Sequence, residues 1–385
     1  MSDYFPPELL AEILSRLPVK SLIRFATVCK SWHSLISNPK FISSHLSNCK
    51  NKKTTLLLRR YDARDNAEHY SLLERAGGVP FSVNSAAELE FPFKSQIGYF
   101  RIVGSCDGLI CLCDDYFANR SRPIFLWNPS VKNHLDLPKP TINPNGAHVF
   151  VLGFGADGQD YKVVRVVYCK KDDDFCYSVP PEVEIFSLKT GRWRKMMGVD
   201  VRVQIVELMW YQVYLNGVVH WIAYRFLPDN SSRNSILTFD FGHETFGEIM
   251  LPDDLSRVPT MSMFITKIMD SVGVIRYERA VGSEYCDVWV MMEFGVQESW
   301  TKLYRIDMVE RLEKVVSFFE NGEALVASQG HELVTYNPQT KHIKGLGIYG
   351  TAHSFYIANY VESLLLLRGQ SGVAMYEFLE AQKNC

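Results

Sequence analysis

The sequence predicts a mainly β protein: a β-propeller of about six blades behind a small module of about three helices. Three observations predict it. Residues 7–46 carry apolar side chains at helical spacing, interrupted by prolines. From residue 54 onward, short runs rich in Val, Ile, Tyr, Phe and Trp alternate with polar turn clusters. Those runs recur with a period of roughly 50 residues, the range of propeller blades. A two-sheet sandwich is the alternative architecture for the same strands.

The helices come first. Pro7 suits a first helical turn, where its missing N–H would be unpaired anyway. Leu9, Leu10, Ile13, Leu14 and Leu17 then form one apolar face, and Pro18 stops the run. A second run holds Leu22, Ile23, Phe25, Ala26, Val28 and Cys29. A third holds Trp32, Leu35 and Ile36 and ends at Pro39. A unit of about 40 residues seldom buries enough surface to be stable alone. The second and third runs are apolar around most of the helix, so part of that surface needs a partner. The partner is either the following domain, with the helices as its cap, or another protein.

The body follows as repeated units. "GLICLC" (108–113) precedes "PIFLWNPSVKNHLDLP" (123–138), and "DYKVVRVVY" (160–168) precedes "EVEIFSLKTGRWRKM" (182–196). "NGVVHWIAY" (216–224) precedes "SILTFDFGHETFGEIMLP" (235–252), and "CDVWVMMEF" (286–294) precedes "SWTKLYRID" (299–307). "EALVAS" (323–328) precedes "HELVTYNPQTKHIKGL" (331–346). Each unit reads as an inner apolar strand and a hairpin with a polar turn, at Asn128-Pro129, Lys189-Thr190-Gly191, Gly242-His243-Glu244 and Asn337-Pro338. Stacking such units buries both faces of each, and a closed ring limits exposed edges. Either 54–59 or the tail 363–378 closes the ring.

Composition excludes several function classes. The chain has 385 residues, 47% hydrophobic and 22% charged, with a formal net charge of -2. No global field recruits nucleic acid or an anionic membrane. No signal peptide is visible, and the aliphatic cluster Leu364–Leu367 is far too short to span a bilayer. Nine cysteines without framework spacing imply reduced thiols in the cytosol or nucleus. The sequons at Asn119 and Asn230 are then chance matches.

Several apparent sites dissolve on inspection. "GFGADG" (153–158) has the spacing of a dinucleotide fingerprint, yet a strand follows where a helix must. Gly153, Gly155 and Gly158 read instead as turn residues with positive φ. Cys111 and Cys113 alternate along a strand and, with Cys106, read as small core residues rather than as zinc ligands. "KKDDD" (170–174) reads as a solvated hairpin tip. No G-x-S-x-G elbow or paired-histidine metal motif occurs, so no cofactor or metal is expected.

The head carries a family resemblance. The string Phe5-Pro6-x-Glu8-Leu9-Leu10-x-Glu12-Ile13-Leu14-x-Arg16-Leu17-Pro18-Val19-Lys20-Ser21-Leu22-x-Arg24-Phe25 continues through Val28-Cys29-Lys30-Ser31-Trp32, Leu35-Ile36, Pro39 and Phe41. Residues 5–46 resemble an F-box, and "RLPVKSLIRF" is especially similar to the plant form. Phe5 departs from the usual Leu but keeps an apolar anchor. The body resembles the plant F-box-associated domain in "GSCDGLICL", "LWNPSVK", "LGFG…DYKVV" and "LNGVVHW", over roughly residues 90–310.

The resemblance implies a division into an adaptor-binding F-box (1–46), a linker with first strands (47–90) and a recognition propeller (91–385). It implies binding to a Skp-type adaptor, and through it a cullin, by Phe5, Pro6, Leu9, Leu10, Ile13, Leu14, Leu17, Pro18, Leu22, Phe25, Val28, Cys29, Trp32, Leu35 and Ile36. It also implies that the chain is a non-catalytic substrate receptor of a ubiquitin ligase, cytoplasmic or nuclear. The target is then a protein, with neither nucleic acid nor membrane as partner. A pollen-side S-locus role against stylar ribonucleases fits the same residues, and a propeller hydrolase with a helical cap is the reading from another class. The polar loops 62–70, 114–122, 169–181 and 225–234 are the candidate target contacts. Within them Tyr116, Arg120, Lys170, Lys171, Asp172, Asp173 and Asp174 are singled out.

Overall fold

The computed structural model describes residues 6–50, 55–74, 86–92, 94–95, 98–114, 123–144, 146–158, 160–170, 177–205, 211–229, 231–280, 283–308 and 311–366. The chain begins with α1 (Pro7–Ser15), α2 (Val19–Ala26), α3 (Lys30–Ile36) and α4 (Pro39–Lys50). The sequence predicts only three helices. Pro39 does end the third run, but it also opens α4, because a proline costs little in the first helical turn. Pro6 and Pro18 likewise sit at the N-caps of α1 and α2. Leu14, Val19, Leu22, Ile36, Phe41 and Ile42 fill the interior of this head. His45 is fully buried there, with its Nε2 2.9 Å from the Leu17 carbonyl.

Strands follow. The first blade takes β1 (Thr55–Asp62), β2 (Ala67–Glu74) and β3 (Ala86–Glu88). The second is β4 (Arg101–Cys106), β5 (Leu109–Cys113), β6 (Ile124–Asn128) and β7 (Asn133–Asp136). The third is β8 (His148–Ala156), β9 (Tyr161–Cys169), β10 (Glu182–Ser187) and β11 (Arg192–Lys195). The fourth has two short inner pieces, β12 (Gln204–Ile205) and β13 (Val213–Leu215), then β14 (Val218–Phe226), β15 (Ser232–Asp240) and β16 (Thr245–Met250). The fifth is β17 (Met263–Ile268), β18 (Ser271–Ala280), β19 (Ser283–Met291) and β20 (Trp300–Asp307). The sixth is β21 (Leu312–Phe318), β22 (Ala324–Ser328), β23 (Glu332–Tyr336) and β24 (Ile343–Tyr349). β25 (Tyr356–Tyr360) then returns to β1, pairing Thr55 with Tyr360 and Arg59 with Tyr356, and so closes a six-bladed propeller.

Three sequence expectations are corrected. "GLICLC", "DYKVVRVVY", "NGVVHWIAY" and "EALVAS" are second strands of their blades, and "CDVWVMMEF" is a third strand. The innermost strands lie upstream and escape notice, because Gly104, Thr266 and Lys314 break their apolar runs. The closing strand is "YIANY", not the tail from 363; residues 363–366 are not strand, and 367–378 lie outside the described residues. Gly153 and Gly155 lie within β8 rather than in a turn. A Cβ on Gly153 would come within 2.5 Å of the Trp221 ring, and one on Gly155 within 2.4 Å of Tyr214, so close packing is what excludes a side chain there. Gly158 does have a positive φ, +85°.

Each gap between neighbouring blades holds one apolar cluster, so six clusters surround the axis. Leu56 and Leu58 point into one gap and Leu57 into the next, which explains an unbroken apolar triplet on one strand. Cys106, Cys111 and Cys113 share a single cluster, and burial pushes the Cys106 and Cys111 thiols upward in pKa.

Polar side chains stitch the blades together. The Tyr70 hydroxyl donates to the Phe100 carbonyl and accepts from the Phe100 N–H, both at 2.8 Å. Tyr277 does the same at Val315 (3.3 and 3.0 Å), and Tyr168 at the Val203 carbonyl and Ile205 N–H (3.1 and 3.3 Å). These bonds pair backbone groups on the inner strand of the next blade, which would otherwise be buried and unsatisfied.

Antiparallel strands reverse at each turn. Turns after the first and third strands of a blade therefore fall on one face of the ring, and those after the second and fourth on the other. The head stands on the first face. Lys50 at the end of α4 pairs with Asp107 in the β4–β5 turn at 2.7 Å, and Val131 of the β6–β7 turn packs against the head's core. The chain leaving β25 completes the joint. Leu364 is fully buried in the head's cluster, Glu362 accepts from the Val19 N–H at 3.3 Å, and Asn128 donates to the Ser363 and Leu365 carbonyls.

Candidate adaptor-binding and target-binding surfaces

The head turns part of its apolar complement outward. In α1, Leu10 and Leu14 point inward while Leu9 and Ile13, one turn apart, are 43% and 48% exposed. Val28, in the turn before α3, is 66% exposed. Phe25 and Trp32 meet edge to face with centroids 5.4 Å apart, both half-buried beside that turn. Cys29 is exposed, and its thiol is lowered in pKa, first of all by the Ser31 hydroxyl. Glu8, Glu12 and Arg16 flank the α1 patch, and Arg16 pairs with Glu12 at 2.6 Å. Exposed apolar side chains on α1 and in the bend before α3 make this a candidate docking surface.

The expected adaptor residues therefore divide. Pro6, Leu9, Ile13, Pro18, Val28 and Cys29 are exposed, and Leu10, Leu17, Phe25, Trp32 and Leu35 are partly buried. Leu14, Leu22 and Ile36 are 2% exposed or less and serve the head's interior, so they have no surface to offer a partner. Helical periodicity marks a face as apolar but does not say which apolar face turns inward. Phe5 lies outside the described residues.

On the body, all four candidate loops spring from strand ends on the face away from the head. Loops 62–70, 114–122, 169–181 and 225–234 each follow the second strand of a blade. Tyr116, Arg120, Lys171, Asp172, Asp173 and Asp174 lie outside the described residues. Lys170 directly follows β9 and forms an isolated bridge with Tyr177, and its N–H donates to the Ala147 carbonyl at 2.8 Å. The same face carries exposed Val179, Met197, Phe226 and Met261, which the sequence reading did not single out. Their only sequence signal is an apolar side chain next to a turn, as in "RFLPD" after Phe226. The seven described cysteines are free thiols, and among the described residues no helix is long and apolar enough to cross a membrane.

The comparisons agree with this geometry. The F-box domain matches residues 3–44, and the F-box associated beta propeller domain matches residues 63–366. The latter extends beyond both ends of the resemblance read from the sequence. F-box protein CPR1 of Arabidopsis thaliana is 27% identical, over 94% of this chain and 88% of that protein. An F-box/kelch-repeat protein of the same plant is 30% identical, over 78% of this chain and 79% of that protein. The chain belongs to the F-box proteins whose body is an F-box-associated β-propeller.

Proposed function

We propose that the chain is the substrate receptor of an SCF-type ubiquitin ligase, acting in the cytosol or nucleus. The carrying observation is the apolar set Leu9, Ile13 and Val28, left open on a head that stands on one face of the propeller. Residues 1–46 hold a Skp-type adaptor, and through it a cullin. Residues 91–385 hold a target protein on the opposite face, and residues 47–90 supply the linker and the strands β1–β3. The chain makes and breaks no bond itself. It raises the local concentration of a target lysine near the charged conjugating enzyme, an intramolecular advantage that requires both partners to be held at once. The firm attachment of the head supports this role, since a fixed span maximises effective concentration.

The test is purification of the tagged full-length chain from plant cells treated with a proteasome inhibitor. Adaptor and cullin should co-purify, and a ubiquitinated protein should accumulate with them. A chain that brings down neither adaptor nor cullin, yet turns over a small substrate unaided, contradicts the proposal.

A further inference from the structure

We propose that the head-side half of the propeller's central channel binds a small, neutral, amphipathic molecule built on a planar ring system. The inference does not depend on the ligase reading, because this cavity opens on the head's face and not on the face assigned to the target. The cavity has a volume of about 500 Å³. That falls in the range of roughly 300–1,000 Å³ typical of small-molecule sites.

Its walls come from inner strands and adjoining segments of five blades. β4 contributes Gly104–Cys106, the fourth blade Tyr211–Tyr214, β17 Phe264–Lys267, β21 Val316–Phe318 and β25 Tyr356–Asn359. A water-filled channel would be lined with polar groups. Here Tyr211, Tyr214, Phe318, Phe319 and Tyr356 all border the space, and each is only partly buried. Tyr211 and Tyr356 lie nearly parallel, 11° apart with centroids at 6.4 Å. Beside them the Lys314 ammonium sits 5.1 and 5.4 Å from the Tyr211 and Phe264 centroids and donates to the Tyr211 hydroxyl at 3.3 Å. Five aromatic side chains bordering one space suit a planar apolar body.

The polar groups fix the rest of the ligand's chemistry. The Ser105 and Ser317 hydroxyls and the Asn359 carboxamide line the cavity and have no side-chain hydrogen-bond partner among the described residues. The charges at the mouth are largely spent on each other: Lys50 on Asp107 at 2.7 Å, and Lys267 on Asp270 at 3.0 Å. Glu320 and the buried Lys314 ammonium remain, and their opposite charges offset each other. Hydrogen-bonding groups without a surplus of positive charge select a neutral molecule carrying hydroxyl, carbonyl or amide groups. Lys50 ends the head's last helix, and Val361 starts the segment that enters the head's core, so a bound molecule touches both sides of the joint.

Prodan, a neutral naphthalene ketone whose emission shifts to the blue in an apolar site, is the probe. The full-length chain should bind it saturably at one site and unfold at a higher temperature in its presence. Ser317→Trp and Asn359→Trp, made separately, each place an indole in the cavity. Each should weaken binding at least about tenfold while the chain keeps its circular dichroism spectrum. Two variants are used so that a folding defect in one leaves the other to decide. Absence of saturable prodan binding, or unchanged affinity in a folded filled variant, overturns the proposal.

Discussion

Glu184 is a carboxylate with no exposed surface, and it accepts hydrogen bonds from the Thr141 N–H and hydroxyl, the Ile142 N–H and Arg165. Arg165 returns a bond to the Ile142 carbonyl at 2.9 Å and lies 4.7 Å from the Phe150 centroid. The pair therefore latches the connection between the second and third blades. Glu184→Ala would strand a buried cation and three backbone or hydroxyl donors. It should cost about 3–5 kcal/mol in urea unfolding, whereas a loss below about 1 kcal/mol would remove the latch from the account. His220 gives a pH signature. It is fully buried, with its Nδ1 3.0 Å from the Val213 carbonyl, and burial lowers its pKa from the ordinary 6.5 to about 4. The unfolded chain then takes up a proton below about 6.5 and the folded chain does not until about 4, so stability decreases as pH drops from about 6.5 to about 4. The slope from this group reaches at most about 1.4 kcal/mol per pH unit, and His220→Gln should flatten it in denaturant titrations at pH 7, 6 and 5. Neither residue was legible in the sequence. The second Glu of "EVEIF" and the His of "VVHWI" each sit among apolar residues, and only tertiary packing shows what they meet. The Asp107-Gly108 and Asn216-Gly217 turns, not singled out in the sequence, have two consecutive positive φ angles, 53° and 82° then 50° and 82°, which such residue pairs suit.

At the level of elements, the second and third strands of most blades were visible in the sequence because both their faces are buried between neighbours, and the largely exposed fourth strands through the polar turns that precede them. The innermost strands were not. One edge of each looks into the channel, and residues such as Asn359 and Thr266 reflect that position rather than a core. The closing strand suffers most: "YIANY" has no apolar alternation, yet β25 completes the first blade and its continuation fills the head. The ring and the head thus depend on one short segment. A chain ended after Phe355 loses β25 and Leu364 together. It should show an early, broad thermal transition by circular dichroism and a head accessible to limited proteolysis. A chain ended after Leu366 should unfold in a single sharp transition near the full-length midpoint. Equal midpoints for the two chains would show that closure does not rest on β25. The fourth helix was missed for a related reason, since Phe41, Ile42 and His45 are buried but make too sparse a pattern to separate from a loop.

On the scale of the whole molecule, the propeller separates two surfaces. The head occupies one face, tied down by Lys50–Asp107 and by the segment through Leu364, and the loops after the second strands open on the other. The sequence showed that the head had too much apolar surface, and the family resemblance supplied its use. The structure adds which residues remain open: Leu9 and Ile13 on α1 and Val28 beside α3, with Leu14, Leu22 and Ile36 withdrawn into the interior. The account's central claim is that this open set is the adaptor site. Isothermal titration of the purified chain with a plant Skp-type adaptor tests it most directly. Leu9→Ala with Ile13→Ala should weaken binding by roughly 30- to 1000-fold, about 2–4 kcal/mol, with the thermal midpoint nearly unchanged because both side chains are already half exposed. Full affinity in the folded double variant, or no binding by the unaltered chain, would contradict it.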